Sequence, residues 1–227
     1  MRFPERLRAE GAAPATVDHA GFDALLRQHV DARGNVDYAG LQADRPALDA
    51  YLAALADADP GALSRDEQLA YYINAYNAAT LRLIVDNYPL ASITELDGGK
   101  PWDVERVDLG GTTYSLNEIE NDIIRPRFSE PRIHFAVNCA AASCPPLRDG
   151  AFTADALDAQ LDEQTRAFLT SPTYTTVAGG VATVSKIFDW YGADFDSVAG
   201  FIADYRDDVT ASTAIAFREY DWSLNAQ

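Results

Sequence analysis

Sulfur, lysine and long apolar runs are all scarce in this sequence of 227 residues. No apolar run approaches the roughly 20 residues that a membrane-crossing helix needs, so a transmembrane protein is not expected. The opening segment, 1–8, is interrupted by charge and is not followed by a hydrophobic signal core. We therefore expect no cleaved secretory leader and take the cytoplasm as the location.

Lysine occurs only as Lys100 and Lys186, whereas Asp plus Glu number 35 against 18 Lys plus Arg. The formal net charge of −17 would repel the phosphates of nucleic acids and of anionic membranes, so neither is expected as a partner. At about 1 M salt the screening length falls to about 3 Å, which makes such a surface tolerable. This acidic composition, with arginine retained and lysine depleted, predicts a halophilic protein of a salt-rich cytoplasm. An ordinary acidic protein is the simpler alternative.

Both cysteines lie in one segment, 132–146, where Cys139 and Cys144 follow His134. An imidazole five residues before a thiol is compatible with a thiol active site, half of a metal site, a redox pair or ordinary packing. Free cysteine is among the most often buried residues, so packing explains Cys139 as well as chemistry does. The functional question is therefore concentrated in this segment.

Helical and extended segments are interspersed along the chain without an internal repeat. Apolar spacing and capping predict helices over 22–30, 46–58, 64–87, 116–128, 153–169 and 198–205. Alternation and paired glycines predict a strand over 133–139, hairpins over 102–115 and 173–185, and a final strand over 215–224. Strand pairs joined by hairpins favour an α+β fold, with helices packed on an antiparallel sheet. A papain- or transglutaminase-like arrangement is compatible with this order. We expect one domain, 1–227, with 1–20 as an N-terminal arm.

Several motifs, taken in order, resemble the domain-of-unknown-function family numbered 547. They are the segments 72–78, 88–89, 116–120, 134–139, 143–145, 188–191 and 220–225, which place the family-like region at about 60–227. The resemblance implies a cysteine where Cys139 stands and admits serine at the position of Cys144. It directs the chemical question to Cys139, weakens hypotheses that need both sulfurs, and implies no agreed activity.

A thiol-dependent hydrolase or acyl/amide transferase, acting on a small-molecule or peptide substrate, is the leading functional hypothesis. Cys139 would be the nucleophile, His134 the general base and Glu120 the group that orients the base. Residues five apart on a regular strand point to opposite faces, so His134 and Cys139 meet only if the chain bends near Asn138. The alternatives are a core cysteine, a core histidine and a Glu120 paired with a nearby arginine such as Arg125.

Asn74 and Asn77 share one face of the predicted helix 64–87. Their amides could bind a substrate carbonyl or an oxyanion. The alternative, and the better supported one, is a buried amide network that ties the helix to neighbouring loops.

Three further alternatives stay open: a zinc site, a redox disulfide and a binding module. His134, Cys139 and Cys144 suit zinc by ligand type, but their spacing is not a standard zinc pattern, so no metal or other cofactor is expected. A Cys139–Cys144 disulfide lacks the Cys-x-x-Cys spacing of redox catalysts, and a reducing cytoplasm disfavours it.

The last class is a non-catalytic ligand- or protein-binding module, built on the aromatic runs 188–191 and 220–225. The better supported explanation is that the same aromatic residues anchor the last strand and seal the core.

The other two histidines, His19 and His29, have no convergent partners in the sequence and are interpreted as surface residues.

Overall fold

The computed structural model describes residues 15–227, and its longest element is a helix over Arg65–Asn87. Ser64 begins this helix, because its Oγ accepts a hydrogen bond from the N–H of Glu67. The Glu67 carboxylate does not complete a capping box and instead accepts from the N–H of Val17 at 3.0 Å. Every residue from 69 to 81 is buried, so the helix runs through the centre of the core rather than along its surface.

Helices account for most of the regular structure in residues 15–227. The α-helices are α1 (Ala20–His29), α2 (Tyr38–Ala43), α3 (Arg45–Asp57), α4 (Arg65–Asn87), α5 (Arg125–Phe128), α6 (Leu157–Thr170), α7 (Ile187–Trp190) and α8 (Val198–Ala203). Short 3-10 helices lie at Pro60–Ala62, Ile93–Glu95, Asp97–Gly99, Pro101–Asp103, Pro131–Phe135, Ala154–Ala156 and Gly192–Asp194. A π-helix over Glu118–Ile124 leads directly into α5. None of the helices in the described part of the chain is both long and apolar enough to span a bilayer.

The strands form two small sheets. Strands β1 (Val107–Leu109) and β2 (Thr112–Tyr114) pair antiparallel across Gly110 and Gly111, whose positive φ angles suit the tight turn. Strands β3 (Thr176–Ala178) and β4 (Val181–Val184) form a second antiparallel hairpin, and β5 (Ala214–Phe217) adds to β4 in parallel. The fold is therefore α+β, and both predicted hairpins are confirmed.

Two hydrophobic clusters meet at the segment that was predicted to be a strand, 133–139. The larger cluster surrounds α4 and includes Ile133 and Ala136, whereas Phe135 belongs to a smaller cluster with Phe168 and Phe188. Side chains of this segment thus enter both cores. The candidate site residues nearby lie where the two cores join.

The predicted strand over 133–139 is wrong. Pro131–Phe135 is a 3-10 helix that begins at Glu130, whose carboxylate accepts from the N–H of Arg132 at 3.1 Å. Both sides of the segment are buried, and a short apolar run of this kind does not distinguish strand from helix by periodicity. Strand parity therefore does not separate His134 from Cys139. The chain does turn at Asn138, whose Oδ1 accepts from the N–H of Ala140.

The two ends of the chain differ in part from expectation. Only β5 of the predicted strand 215–224 is extended within a sheet; residues beyond it pair instead with the turn that contains the cysteines, through a bridge between Ala141 and Leu224. Of the predicted N-terminal arm, 1–20, residues 1–14 lie outside the described chain. Ala15 forms a bridge with Leu63.

Candidate active site

A pocket of about 260 Å³ opens between α4, the π-helix and the C-terminal segment 220–225. Cys139, His134 and Glu120 all line it. The structure therefore places the three side chains that the sequence singled out for catalysis on one surface, although they come from three local structures.

Cys139 is half-buried on the pocket wall, directly after the turn at Asn138. Its Sγ lies 2.8 Å from Sγ of Cys144 and 3.3 Å from the hydroxyl oxygen of Tyr220. The Cys144 thiol, as a hydrogen-bond donor, lowers the pKa of Cys139; the Tyr220 hydroxyl and the N–H of Ala141 act in the same direction, against the effect of burial. The result is a thiol that ionises more readily than an isolated cysteine.

Cys144 lies behind Cys139 and is buried. Its Sγ also accepts a hydrogen bond from the backbone N–H of Cys139, at 2.9 Å. Burial raises the pKa of Cys144 well above its ordinary value, so it remains a protonated donor. The two thiols therefore differ in ionisation because they differ in environment.

The C-terminal segment holds the turn between the two cysteines. The N–H of Ala142 donates to Ser223 O at 2.7 Å, and the N–H of Ser143 donates to Asp221 O at 3.1 Å. The N–H of Asp221 returns a bond to Ser143 Oγ at 2.8 Å. These reciprocal bonds position Tyr220 against the sulfurs.

His134 is buried and bonds to a residue that the sequence did not indicate. Its Nε2 lies 2.7 Å from Oδ2 of Asp194, and its ring stacks on Tyr191 with 4.2 Å between centroids. Arg125 binds the same carboxylate through Nε and Nη2, which holds the pKa of Asp194 below its usual range. Burial lowers the pKa of His134 to about 4, more than the neighbouring carboxylate can offset. The imidazole is therefore neutral at pH 7.

The tautomer of His134 follows from its partner. An ionised carboxylate only accepts hydrogen bonds, so the proton of the neutral ring is on Nε2 and points at Asp194. Nδ1 then carries the lone pair and lies 3.9 Å from Oε1 of Glu120. The basic nitrogen thus faces Glu120.

Glu120 lies within the π-helix, and its carbonyl accepts a hydrogen bond from the N–H of Arg125. Pro126 favours this wider turn because it has no N–H and its ring crowds the carbonyl of Asp122. Burial raises the pKa of Glu120, and polar contacts with the hydroxyl groups of Tyr191 and Tyr76 partly oppose that rise. Burial therefore favours the protonated form of Glu120 more than exposure to solvent would.

Asn74 and Asn77 use their amides to bind backbone groups. Asn74 donates to the carbonyl of Phe152 at 2.8 Å and accepts from its N–H at 2.9 Å. Asn77 donates to Ala136 O at 2.9 Å and accepts from the N–H of Asn138 at 2.8 Å. Both side chains are buried and neither lines the pocket. They tie α4 to the loops that support the site.

All three tryptophans of the protein line the pocket: Trp102, Trp190 and Trp222. Trp222 packs on Trp102 at 5.5 Å and on Trp190 at 5.9 Å between ring centroids, and Tyr220 contacts both Trp190 and Trp222. Trp190 remains 45% exposed. The rings form one aromatic wall at the entrance, next to the thiol.

The structure does not gather the residues proposed as zinc ligands. His134 faces carboxylates, while Cys139 and Cys144 face each other and Tyr220. Within residues 15–227, no three histidine, cysteine or acidic side chains are arranged to hold a metal ion.

The surface positions expected for the other two histidines are wrong. His19 is buried with Nδ1 2.7 Å from the hydroxyl oxygen of Tyr51, and His29 is buried with Nε2 2.9 Å from Oδ2 of Asp44. Their partners come from α3 and the residue before it, so the sequence near each histidine contains no sign of the contact.

Sequence reasoning missed Asp194 and assigned Tyr191 and Tyr220 only to aromatic runs. Asp194 is one of many acidic residues, and nothing near it in the sequence distinguishes it. The two tyrosines were detectable as large residues with a polar end, which usually finds a partner when buried.

Fold and pocket together define the class: an α+β protein in which a cysteine pair and a buried histidine–carboxylate cluster share an aromatic-walled pocket. Residues 60–169 match the model of the family described as protein of unknown function, DUF547, so this region of the chain is similar to that family. The matched region contains Glu120, His134 and both cysteines, whereas Asp194 and Tyr220 lie beyond it. No curated protein and no solved structure matches the chain. A papain- or transglutaminase-like architecture thus remains an expectation from the element order.

Proposed function

We propose that this chain is a thiol-dependent hydrolase or acyl/amide transferase whose nucleophile is Cys139. The observation that carries the proposal is the environment of its sulfur on the pocket wall. Three donors surround it: the Cys144 thiol, the Tyr220 hydroxyl and the N–H of Ala141. A thiolate is the reactive form of cysteine, and these donors stabilise it.

His134 is the proposed base. Asp194 holds its Nε2–H, as an orienting carboxylate does in nucleophilic enzymes, and so leaves Nδ1 free to accept a proton. Glu120 faces Nδ1 from within the pocket and is the proposed group through which the proton is passed. Asp194 thereby takes the orienting role first assigned to Glu120.

The proposed reaction has two steps. His134 takes the proton of the Cys139 thiol through Glu120 as Sγ attacks the acyl carbonyl carbon, and the bond to the leaving amine or alcohol breaks as that group takes this proton from His134. A water molecule, or an acceptor amine or alcohol, then attacks the thioester and loses its proton to the same base. The thiol of Cys139 is regenerated, and no cofactor takes part.

The pocket supports a compact substrate with an apolar acyl or side-chain group. Its volume of about 260 Å³ and its aromatic wall favour a small molecule or one side chain of a peptide. Asn74 and Asn77 support this site by fixing backbone rather than by touching substrate. We place the activity in a salt-rich cytoplasm because the net charge of −17 is best tolerated there.

The test is acyl-enzyme formation. The full chain in concentrated KCl is incubated with a panel of activated acyl esters of increasing size and weighed by mass spectrometry. We expect one acyl group on Cys139 and release of the leaving group, both lost in Cys139→Ser and retained in Cys144→Ser. If no ester in the panel acylates Cys139 in the folded chain, the proposed function is wrong.

The aromatic wall favours one second candidate, a non-catalytic binding module. Exposed Trp190 beside Trp222 suits a ligand with an apolar face. A ligand that quenches tryptophan emission equally in the wild type and in Cys139→Ser, without turnover, would favour this candidate.

A further inference from the structure

Cys139 and Cys144 are close enough to react with each other. Their sulfurs are 2.8 Å apart, and a disulfide bond is about 2.05 Å long, so closing one requires a movement of less than about 1 Å. Both cysteines are free thiols in the structure. The pair is therefore arranged for reversible bond formation as well as for hydrogen bonding.

The two thiols are also unequal in the way that exchange reactions require. Cys139 is partly exposed on the pocket wall, whereas Cys144 is buried behind it. The pKa of Cys139 is lowered by its donors, and that of Cys144 is raised by burial. An accessible thiolate attacks first, and a protected thiol next to it resolves the product.

Hydrogen bonds with the C-terminal segment fix the turn between the two cysteines. Bonds from Ala142 and Ser143 to the C-terminal segment fix its backbone, and Ala140 adopts a left-handed φ of 63°. The close approach of the two sulfurs is thus imposed by tertiary structure and does not depend on Cys-x-x-Cys spacing.

We propose that Cys139 and Cys144 form a dithiol–disulfide exchange site for small, uncharged organic disulfides. The aromatic wall admits an apolar molecule to Cys139, while the acidic surface disfavours anionic disulfides.

The exchange proceeds in two balanced steps. The Cys139 thiolate attacks one sulfur of the disulfide, forms a mixed disulfide and expels the other sulfur as a thiolate. Cys144 then attacks Sγ of Cys139, its proton passes to a departing thiolate, and the second half of the reagent leaves. The reagent gains two electrons and becomes two thiols, and the protein pair loses two electrons and becomes one disulfide.

The experiment uses the reduced full chain in concentrated KCl with bis(2-hydroxyethyl) disulfide, without denaturant. Acid-quenched samples are weighed by mass spectrometry, and released thiol is counted. The wild type should lose two hydrogens, carry no adduct and release two thiols per chain. Cys144→Ser should stop at a mixed disulfide on Cys139, and Cys139→Ser should not react. Anionic glutathione disulfide should react more slowly than the uncharged reagent, and the difference should grow as the KCl concentration is lowered, because repulsion by the acidic surface is then less screened.

A wild-type chain that keeps the mixed disulfide, that reacts only after denaturation, or that carries its first adduct on Cys144 overturns the proposal. Tryptic mapping of the oxidised wild type locates the bond without relying on any variant. The result is independent of acyl transfer. Loss of two hydrogens without acylation supports disulfide exchange but not acyl transfer. Acylation without formation of the Cys139–Cys144 disulfide supports acyl transfer but not exchange.

Discussion

The imidazole of His134 donates from Nε2 to Oδ2 of Asp194 across 2.7 Å, although 60 residues separate the two in the chain. Arg125 binds the same carboxylate with Nε at 2.6 Å and Nη2 at 2.8 Å. The charge on Asp194 is thus stabilised by one cation and one neutral ring. This relationship sets the tautomer of His134 and directs its basic nitrogen at Glu120.

The first prediction concerns the titration of His134. Because burial lowers its pKa to about 4, its ring signals in NMR should stay those of neutral imidazole down to that pH. The protein has three histidines, and His134→Gln assigns the signal. A midpoint near 6.5, the ordinary value for histidine, would contradict the buried, neutral ring.

The same shift makes stability depend on pH. The unfolded chain binds a proton at His134 below pH 6.5, but the folded chain does so only near pH 4, so stability is lost as pH falls through that interval. The loss from this group is on the order of 3 kcal/mol. The pKa of His19 is also lowered, so part of the pH dependence of stability comes from that residue. Urea unfolding at several pH values should therefore be compared between the wild type and His134→Gln. The difference between their slopes of unfolding free energy against pH gives the contribution of His134.

The second prediction tests the ion pair directly. Asp194→Asn removes the charge that Arg125 and His134 share and should lower the free energy of unfolding by about 1–3 kcal/mol. It should also slow acylation of Cys139, since the base loses its orienting group. Asp196→Asn, two residues away and exposed, is the matched control and should change neither quantity. If Asp194→Asn and Asp196→Asn have the same unfolding free energy and the same acylation rate, Asp194 neither stabilises the fold nor orients His134.

The third prediction concerns the ionisation of Cys139. Tyr220→Phe removes a donor from the sulfur at 3.3 Å, so the pH profile of iodoacetamide labelling should move to higher pH. In the wild type, native labelling should begin below pH 8.5, approximately the value of a free thiol. Tyr114→Phe, in β2 and away from the pocket, should leave the profile unchanged. Labelling of Cys139 only after denaturation would show a core cysteine instead.

The fourth prediction separates support from substrate binding at the α4 amides. Asn74→Ala leaves the N–H and the carbonyl of Phe152 buried without their partner, which should cost roughly 2–4 kcal/mol of unfolding free energy. Thiol labelling of the folded variant should remain close to that of the wild type. Asn87→Ala, exposed in the last turn of α4, is the control and should cost much less. A variant of normal stability that fails in catalysis would instead indicate a direct substrate contact.

The fifth prediction concerns salt. With a net charge of −17, self-repulsion should lower the melting temperature in dilute buffer, and KCl should raise it steeply up to about 1 M, where screening is nearly complete. Sucrose at matched osmolality is the control for non-ionic stabilisation. A melting temperature that does not change with KCl would mean that the acidic surface is not adapted to salt.

Several parts of the fold followed from local patterns. The Ser64 cap, the apolar spacing of α4 and the Gly110–Gly111 turn each depend on residues within a few positions of one another, and all appear in the structure. The segment 133–139 is a 3-10 helix and a turn rather than a strand, and its sequence does not reveal this because a short run buried on both sides carries no periodicity that distinguishes the two.

The sequence by itself determined the charge of the surface, the principal helices and hairpins, and the identity of Cys139, His134 and Glu120 as candidate catalytic residues. Only the tertiary structure decided their partners. Asp194 reaches His134, and Tyr220 reaches Cys139, because two hydrophobic cores join at this point and bring distant segments together. Such contacts arise from the burial of whole surfaces, which no short stretch of sequence encodes.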